Sequence, residues 1–265
     1  MTHLHLNDYI FDVRRAVYIK SIKALVIGHL GDSLLGGFSG KHLIRASSPT
    51  VKQSQRIGVS VRSHLMYLSQ LLEEYTPSTL LLLGGPVYQS LIDALTRRIN
   101  RKKIVWITSK NTTNEWPNHP KTNQQALLDT CEIEHHTELL WNQYRFTADQ
   151  GIDFTPPRND MVEVTCASSF QLKLGTPIGT AHTLPVFLKS PQKLFIPSFG
   201  DTGLAASIYQ KEFMRFDVFA IGHARILPLG KVSDLHSDKN VFGKLPFRAI
   251  KHSVRTKHET PELNS

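Results

Sequence analysis

The chain has 265 residues, 31 Lys and Arg against 22 Asp and Glu, a formal net charge of +9 and a pI near 9.6. That length admits one large domain or two small ones and buries a core without staples. Two cysteines, Cys131 and Cys166, argue against a disulfide framework and fit a reducing, cytoplasmic setting, with room for one bridge. No apolar run approaches the length of a bilayer span, and MTHLHLNDYIFDVRR lacks the apolar core of a signal peptide, so no membrane partner is expected. The basic balance favours acidic partners such as nucleic acid; it speaks to association and not to fold.

Short β-rich runs open the chain: LHL at Leu4 to Leu6, RRAVYI around Ala16 to Ile19, and KALVIG from Lys23 to Gly28. HLGDSLLGGFSGKH and ASSPTVKQSQ read as loop. Val61, Leu65, Leu68, Leu72 and Tyr75 recur at steps of four and three, one face of a helix that Thr76-Pro77 ends. STLLLLGG is a buried strand running into a Gly84-Gly85-Pro86 turn. VYQSLIDALTRRINRKK predicts a second helix, with Val87, Leu91, Leu95 and Ile99 on one face. Arg97, Arg98, Arg101, Lys102 and Lys103 at its end suit the negative end of the helix dipole, either as a solvated terminus or as a nucleic-acid contact surface. IVWIT, Ile104 to Thr108, is a third buried strand. This alternation argues for an α/β layered sheet.

Beyond Thr108 the texture changes. After the polar SKNTTNEWPNHPKTN come short strand-like runs: CEIEHH, QYRFTA, MVEVTCA, QLKL, LPVFL, KLFIPS, FDVFAIG and ARILPLG. They predict a largely antiparallel second sheet. The apolar pattern thins from Lys231, which sets one domain over 1–230 and a basic, loosely ordered tail over 231–265.

Strand C-terminal ends are where such sheets place their chemistry, and three are offered: VIGHLGDS, LLLGGPVYQ and VWITSKNTTN. In order and texture they resemble the calcineurin-like metallophosphoesterases, and most closely the DNA-ligase-associated branch. RRAVYIKSIKALVIGHLG looks like that branch's opening strands, and LLEEYTPSTLLLLGGPVYQS like its helix, second strand and turn. LPVFLKSPQKLFIPSFGDTGLAASI followed by FDVFAIGHARILPLG resembles its closing hairpins. The resemblance covers about Leu4 to Gly230. It implies a two-sheet α/β sandwich flanked by helices. In an active member it implies two divalent metals (Mn, Fe or Zn) that activate a water and clamp the phosphoryl oxygens.

The chain departs from that pattern at every motif. Where the family carries Asp-x-His, this chain has Gly28 and, allowing one deletion, His29. The metal-bridging Asp falls on Gly85, and the turn's His on Tyr88 or Gln89. The third motif has no His, with Asn111 or Lys110 in the Asn slot; the lone His falls on Ala148; and Gly-His-x-His falls on Cys166, Ala167, Ser168 and Ser169. Two clustered cations need carboxylates to offset their charge and imidazoles as ligands. The expectation is therefore a degenerate member without cofactor, inactive or impaired, retained to bind protein or nucleic acid. The resemblance implies a DNA-repair setting.

Two alternatives stand beside it. One is an active metal-dependent phosphoesterase or nuclease with ligands rearranged among His29, Asp32, Asn111, His119 and His182. The other is a basic nucleic-acid-binding module built on the Arg97 to Lys103 cluster, with salt-dependent binding. His135 and His136 point to opposite faces of a strand and do not share a ligand role. Cys166 has no local base or cation and reads as a buried, inert thiol.

Overall fold

The computed structural model describes residues 2–28, 64–84, 103–108, 133–148, 160–166, 170–175, 181–199, 206–237 and 248–249. The first sheet has seven strands in sequence order. β1 (His3–Leu6), β2 (Tyr9–Asp12), β3 (Ala16–Ile19) and β4 (Ala24–Gly28) form an antiparallel meander. β5 (Thr79–Leu83), β6 (Lys103–Ile107) and β7 (Ile133–His136) then add in parallel.

The near-continuous apolar runs of β4, β5 and β6 follow from burial of both faces. Val26, Leu81, Leu83, Val105 and Ile107 enter one core cluster; Leu25, Ile27, Leu80, Leu82, Ile104 and Trp106 enter another. The second cluster is closed by a helix covering residues 64–75 (α1), which buries Leu65, Leu68, Leu71 and Leu72. Tyr75 of α1 stacks on Tyr18 at 5.3 Å, and Thr76 caps the helix end with φ of 42°. The helical face read from the sequence is thus borne out over the described residues; the second expected helix lies outside them.

The second sheet contains β8 (Glu138–Trp141), β9 (Tyr144–Thr147), β10 (Val162–Cys166), β11 (Phe170–Gly175), β12 (Ala181–Lys189), β13 (Lys193–Ile196) and β14 (Ala206–Ser207), in the order β14-β11-β12-β13-β10-β9-β8. The hairpin of β15 (Asp217–Ile221) and β16 (Ile226–Lys231) attaches at β12, and β17 (Arg248–Ala249) pairs with β11. The sheet is mixed: β10 runs parallel to both β9 and β13.

The inner faces of the two sheets share one core. Phe11 lies 4.9 Å from Phe187 and 5.1 Å from Phe219, ring to ring, and Tyr9 meets Tyr144 edge-on. The outer face of the second sheet packs Phe170, Phe195 and Val218 against Phe213, Phe216, Val232 and Leu235. The two-sheet expectation therefore holds, with helices few among the described residues.

Two sequence expectations are corrected. CEIEHH does not open the second sheet: β7 joins the first, parallel to β6, because its residues extend that sheet's hydrogen-bond ladder. The second sheet is largely antiparallel, as expected, with parallel pairing of β10 to β9 and β13 and of β11 to β14. The chain after Lys231 begins with structure, since a short helix, α2 (Val232–Ser237), buries Val232 and Leu235. β2 is an element the sequence reading missed: all four of its residues are buried, and its closing Asp12 reads as surface.

Candidate functional site

The parallel strands of the first sheet end side by side at Gly28, Gly84, Thr108 and His136. The backbone explains the turn after β5. Gly84 adopts φ of 71°, which favours glycine. Its N–H donates to the Ile107 carbonyl at 2.7 Å, and its own carbonyl accepts from the Trp106 indole at 3.2 Å. Gly85 lies outside the described residues.

Gly28 sits where the two sheets meet. The Phe199 N–H donates to the Gly28 carbonyl at 2.7 Å, and Gly28 forms a parallel bridge with Ser198. A β-carbon placed on Gly28 would stand 2.2 Å from the Cys166 sulfur, 2.9 Å from the Cys166 Cβ and 3.2 Å from the Pro197 carbonyl oxygen. The thiol fills the volume that any side chain at position 28 would need. Cys166 is itself fully buried in the inner core, and so is Ala148 at the end of β9. The Ser198 hydroxyl is buried beside this contact with no hydrogen-bond partner.

Of the positions expected to mark the degenerate site, the structure brings Gly28 and Cys166 into contact and sets Ala148 in the same core cluster. His29, Asp32, Asn111, His119, Ala167 and Ser169 lie outside the described residues. The backbone of His182 lies on β12 opposite Leu174. Arg97, Arg98, Arg101 and Lys102 also lie outside. Lys103 does not belong to a basic helix end: it opens β6, and its ammonium group binds Glu134 on β7. The bond from Lys103 holds the Glu134 carboxyl below its ordinary range; burial opposes it, and His136 adds to the lowering. His136, at the end of β7, has its imidazole engaged with Glu134 at 3.3 Å.

A second group of donors, His3, Asp12 and Glu74, falls within metal-ligand spacing. Its centre is already filled. Asp12 is fully buried, and its Oδ1 accepts from the Arg14 N–H at 2.8 Å and Arg14 Nε at 2.7 Å. Its Oδ2 accepts from Arg14 Nη2 at 2.7 Å and the Tyr75 hydroxyl at 2.8 Å. Arg14 also binds Glu74. A guanidinium stands where a cation would, so the cluster ties the β2–β3 turn to the end of α1.

Among solved structures, nuclease MPE of Pseudomonas putida matches this chain with a TM-score of 0.54, over 85% of this chain and 99% of that one, at 16% sequence identity. The fold is of the calcineurin-like metallophosphoesterase type. No protein-family model matches the chain, and no curated protein does. The phosphoesterase fold implies a pair of metals at the strand ends. The described residues there do not fit them: Gly28, Gly84, Thr108, Ala148 and Cys166 offer no carboxylate and no imidazole, and His136 is engaged at the sheet edge.

Proposed function

We propose that this chain keeps the phosphoesterase fold as a binding scaffold and does not run the two-metal hydrolysis typical of that fold. The observation that carries the reading is the contact between Gly28 and Cys166. The first-motif position holds no carboxylate, and the volume such a carboxylate would enter is occupied from the opposite sheet. Ala148 supports it, since a methyl group faces the core where the resemblance implies a ligand. The net charge of +9 suits a phosphate-bearing partner, and nucleic acid is the partner we favour. The order of the closing hairpins supports placement in the DNA-ligase-associated branch, and a DNA-repair setting follows from that placement.

The test is a calorimetric titration of the chelator-stripped protein with Mn²⁺, with a generic phosphodiester assayed in the same buffer. The expected result is no two-ion binding and no turnover, together with binding of a DNA duplex that weakens steeply as salt rises. Tight binding of two ions with turnover abolished by chelator would overturn the scaffold reading. DNA affinity insensitive to salt would overturn the choice of partner.

A further inference from the structure

β1 has the sequence HLHL, and residues two apart on a strand share a face. Leu4 and Leu6 pack on the inner core. His3 and His5 therefore stand together on the outer face, opposite Asp12 and Ile10 of β2. This is the face on which α1 lies, and His3 meets the end of that helix. Its Nδ1 is 3.7 Å from Glu74 Oε1, a gap too long for a hydrogen bond. The Thr2 hydroxyl reaches the same nitrogen at 3.3 Å, a contact exposed to solvent.

Two distances match a single ion held between these groups. Tetrahedral zinc takes imidazole nitrogen and carboxylate oxygen at about 2.0–2.2 Å. Two imidazoles on one such ion then have ring centroids about 5.2 Å apart, and a ligating nitrogen and oxygen stand about 3.4 Å apart. The His3 and His5 ring centroids are 5.2 Å apart, with their planes at 70°. The His3–Glu74 gap needs only a small movement of an exposed carboxylate to match. The charge fits as well. One guanidinium, Arg14, lies between two carboxylates, Asp12 and Glu74, and leaves one negative charge over. Arg14 takes Glu74 Oε2, on the side facing Asp12, and Oε1 is the oxygen turned to His3.

We propose that His3, His5 and Glu74 form a surface site for one divalent transition-metal ion of the zinc and copper class, which clips the edge strand β1 to the end of α1. Two imidazoles and a carboxylate select borderline-soft ions over Mn²⁺, which stands at the weak end of the affinity order. A water completes the tetrahedron. The site lies three strands from β4, whose end carries Gly28, and it is independent of whether the strand ends bind metal or nucleic acid.

Calorimetric titration of the chelator-stripped full chain with Zn²⁺, paired with thermal unfolding with and without the ion, tests it. One tight ion per chain is expected, with a thermal midpoint that rises as Zn²⁺ is added. His5→Ala alters an exposed side chain, so the midpoint without Zn²⁺ stays that of the parent. Its affinity for the ion falls by about tenfold or more, and the rise with Zn²⁺ shrinks with it. Glu74→Gln keeps an oxygen for Arg14, loses the anionic ligand and weakens the ion by a like factor. No Zn²⁺ bound at micromolar concentration would overturn the proposal. So would unchanged affinity in His5→Ala, which would place the ion at other histidines. An equal loss of stability in His5→Ala with and without Zn²⁺ would also overturn it, because the two rings would then serve only to pack on each other. Should a histidine variant not fold, Glu74→Gln decides.

Discussion

Gly28→Ala is the sharpest test of how the strand ends are built. The new methyl would lie 2.2 Å from the Cys166 sulfur, whereas unbonded carbon and sulfur sit comfortably only beyond about 3.5 Å. The sulfur must retreat by more than 1 Å in a core with no exposure, while the Pro197 carbonyl at 3.2 Å blocks the backbone from yielding. Overpacking of this kind costs about 1–3 kcal/mol, and a clash shared with backbone belongs at about 3. Cys166→Ala removes the sulfur alone and costs about 1 kcal/mol of lost burial. The combined variant is then less damaged than the sum of the two, by about 1 kcal/mol or more, because each change relieves the other. Part of the penalty persists, since the Cys166 Cβ is still 2.9 Å away. Urea unfolding of the four proteins, read at constant m-value, measures the coupling. Strict additivity, or a Gly28→Ala protein as stable as the parent, would refute the claim that the thiol occupies this volume.

Three further outcomes are expected. Arg14→Ala strips two side-chain donors from the buried Asp12 and should lower unfolding stability by about 3 kcal/mol, against about 1 for Tyr75→Phe; equal effects would show that the guanidinium is not the main counterion. Burial works to raise the Asp8 carboxyl, but bonds from the Ser21 hydroxyl, the Tyr144 hydroxyl and the Ser21 N–H outweigh it and hold it below its ordinary value of 3.8. A depressed folded value means stabilisation that is complete above pH 3.8 and lost as pH falls through the lower one, so Asp8→Asn should flatten the stability profile in that acid window. Ser198→Ala removes a buried hydroxyl that has no partner and should leave stability unchanged or raise it by about 1 kcal/mol; a loss beyond 1 kcal/mol in thermal unfolding would mean the hydroxyl is bonded in solution.

The elements that the sequence announced are those whose pattern comes from burial alone. Leu65, Leu68 and Leu72 mark the buried face of α1, and the apolar runs of β4, β5 and β6 are strands covered on both sides. What stayed hidden depends on long-range partners. β2 ends in an aspartate that is buried only because Arg14 and Tyr75 reach it, and no local pattern announces a partner 63 residues away. CEIEHH reads as one more short strand, and its choice of sheet is set by pairing with β6 rather than by its own composition. At the candidate site, the lack of a carboxylate or imidazole at Gly28, Ala148 and Cys166 was legible one position at a time. That the thiol fills the space beside Gly28 was not, since Cys166 lies on the other sheet and only the packed fold sets the two together.

The passage from β7 to β8 carries a consequence of its own. The two strands lie at the rims of different sheets, and Thr137 alone joins them. Two steps of chain reach at most about 7 Å, whereas stacked sheets normally stand about 10 Å apart. The rims of the two sheets are therefore held within that reach at this one corner, like a folded card stitched near its crease. Sliding of one sheet against the other is resisted at that point by a covalent tie and not by packing alone.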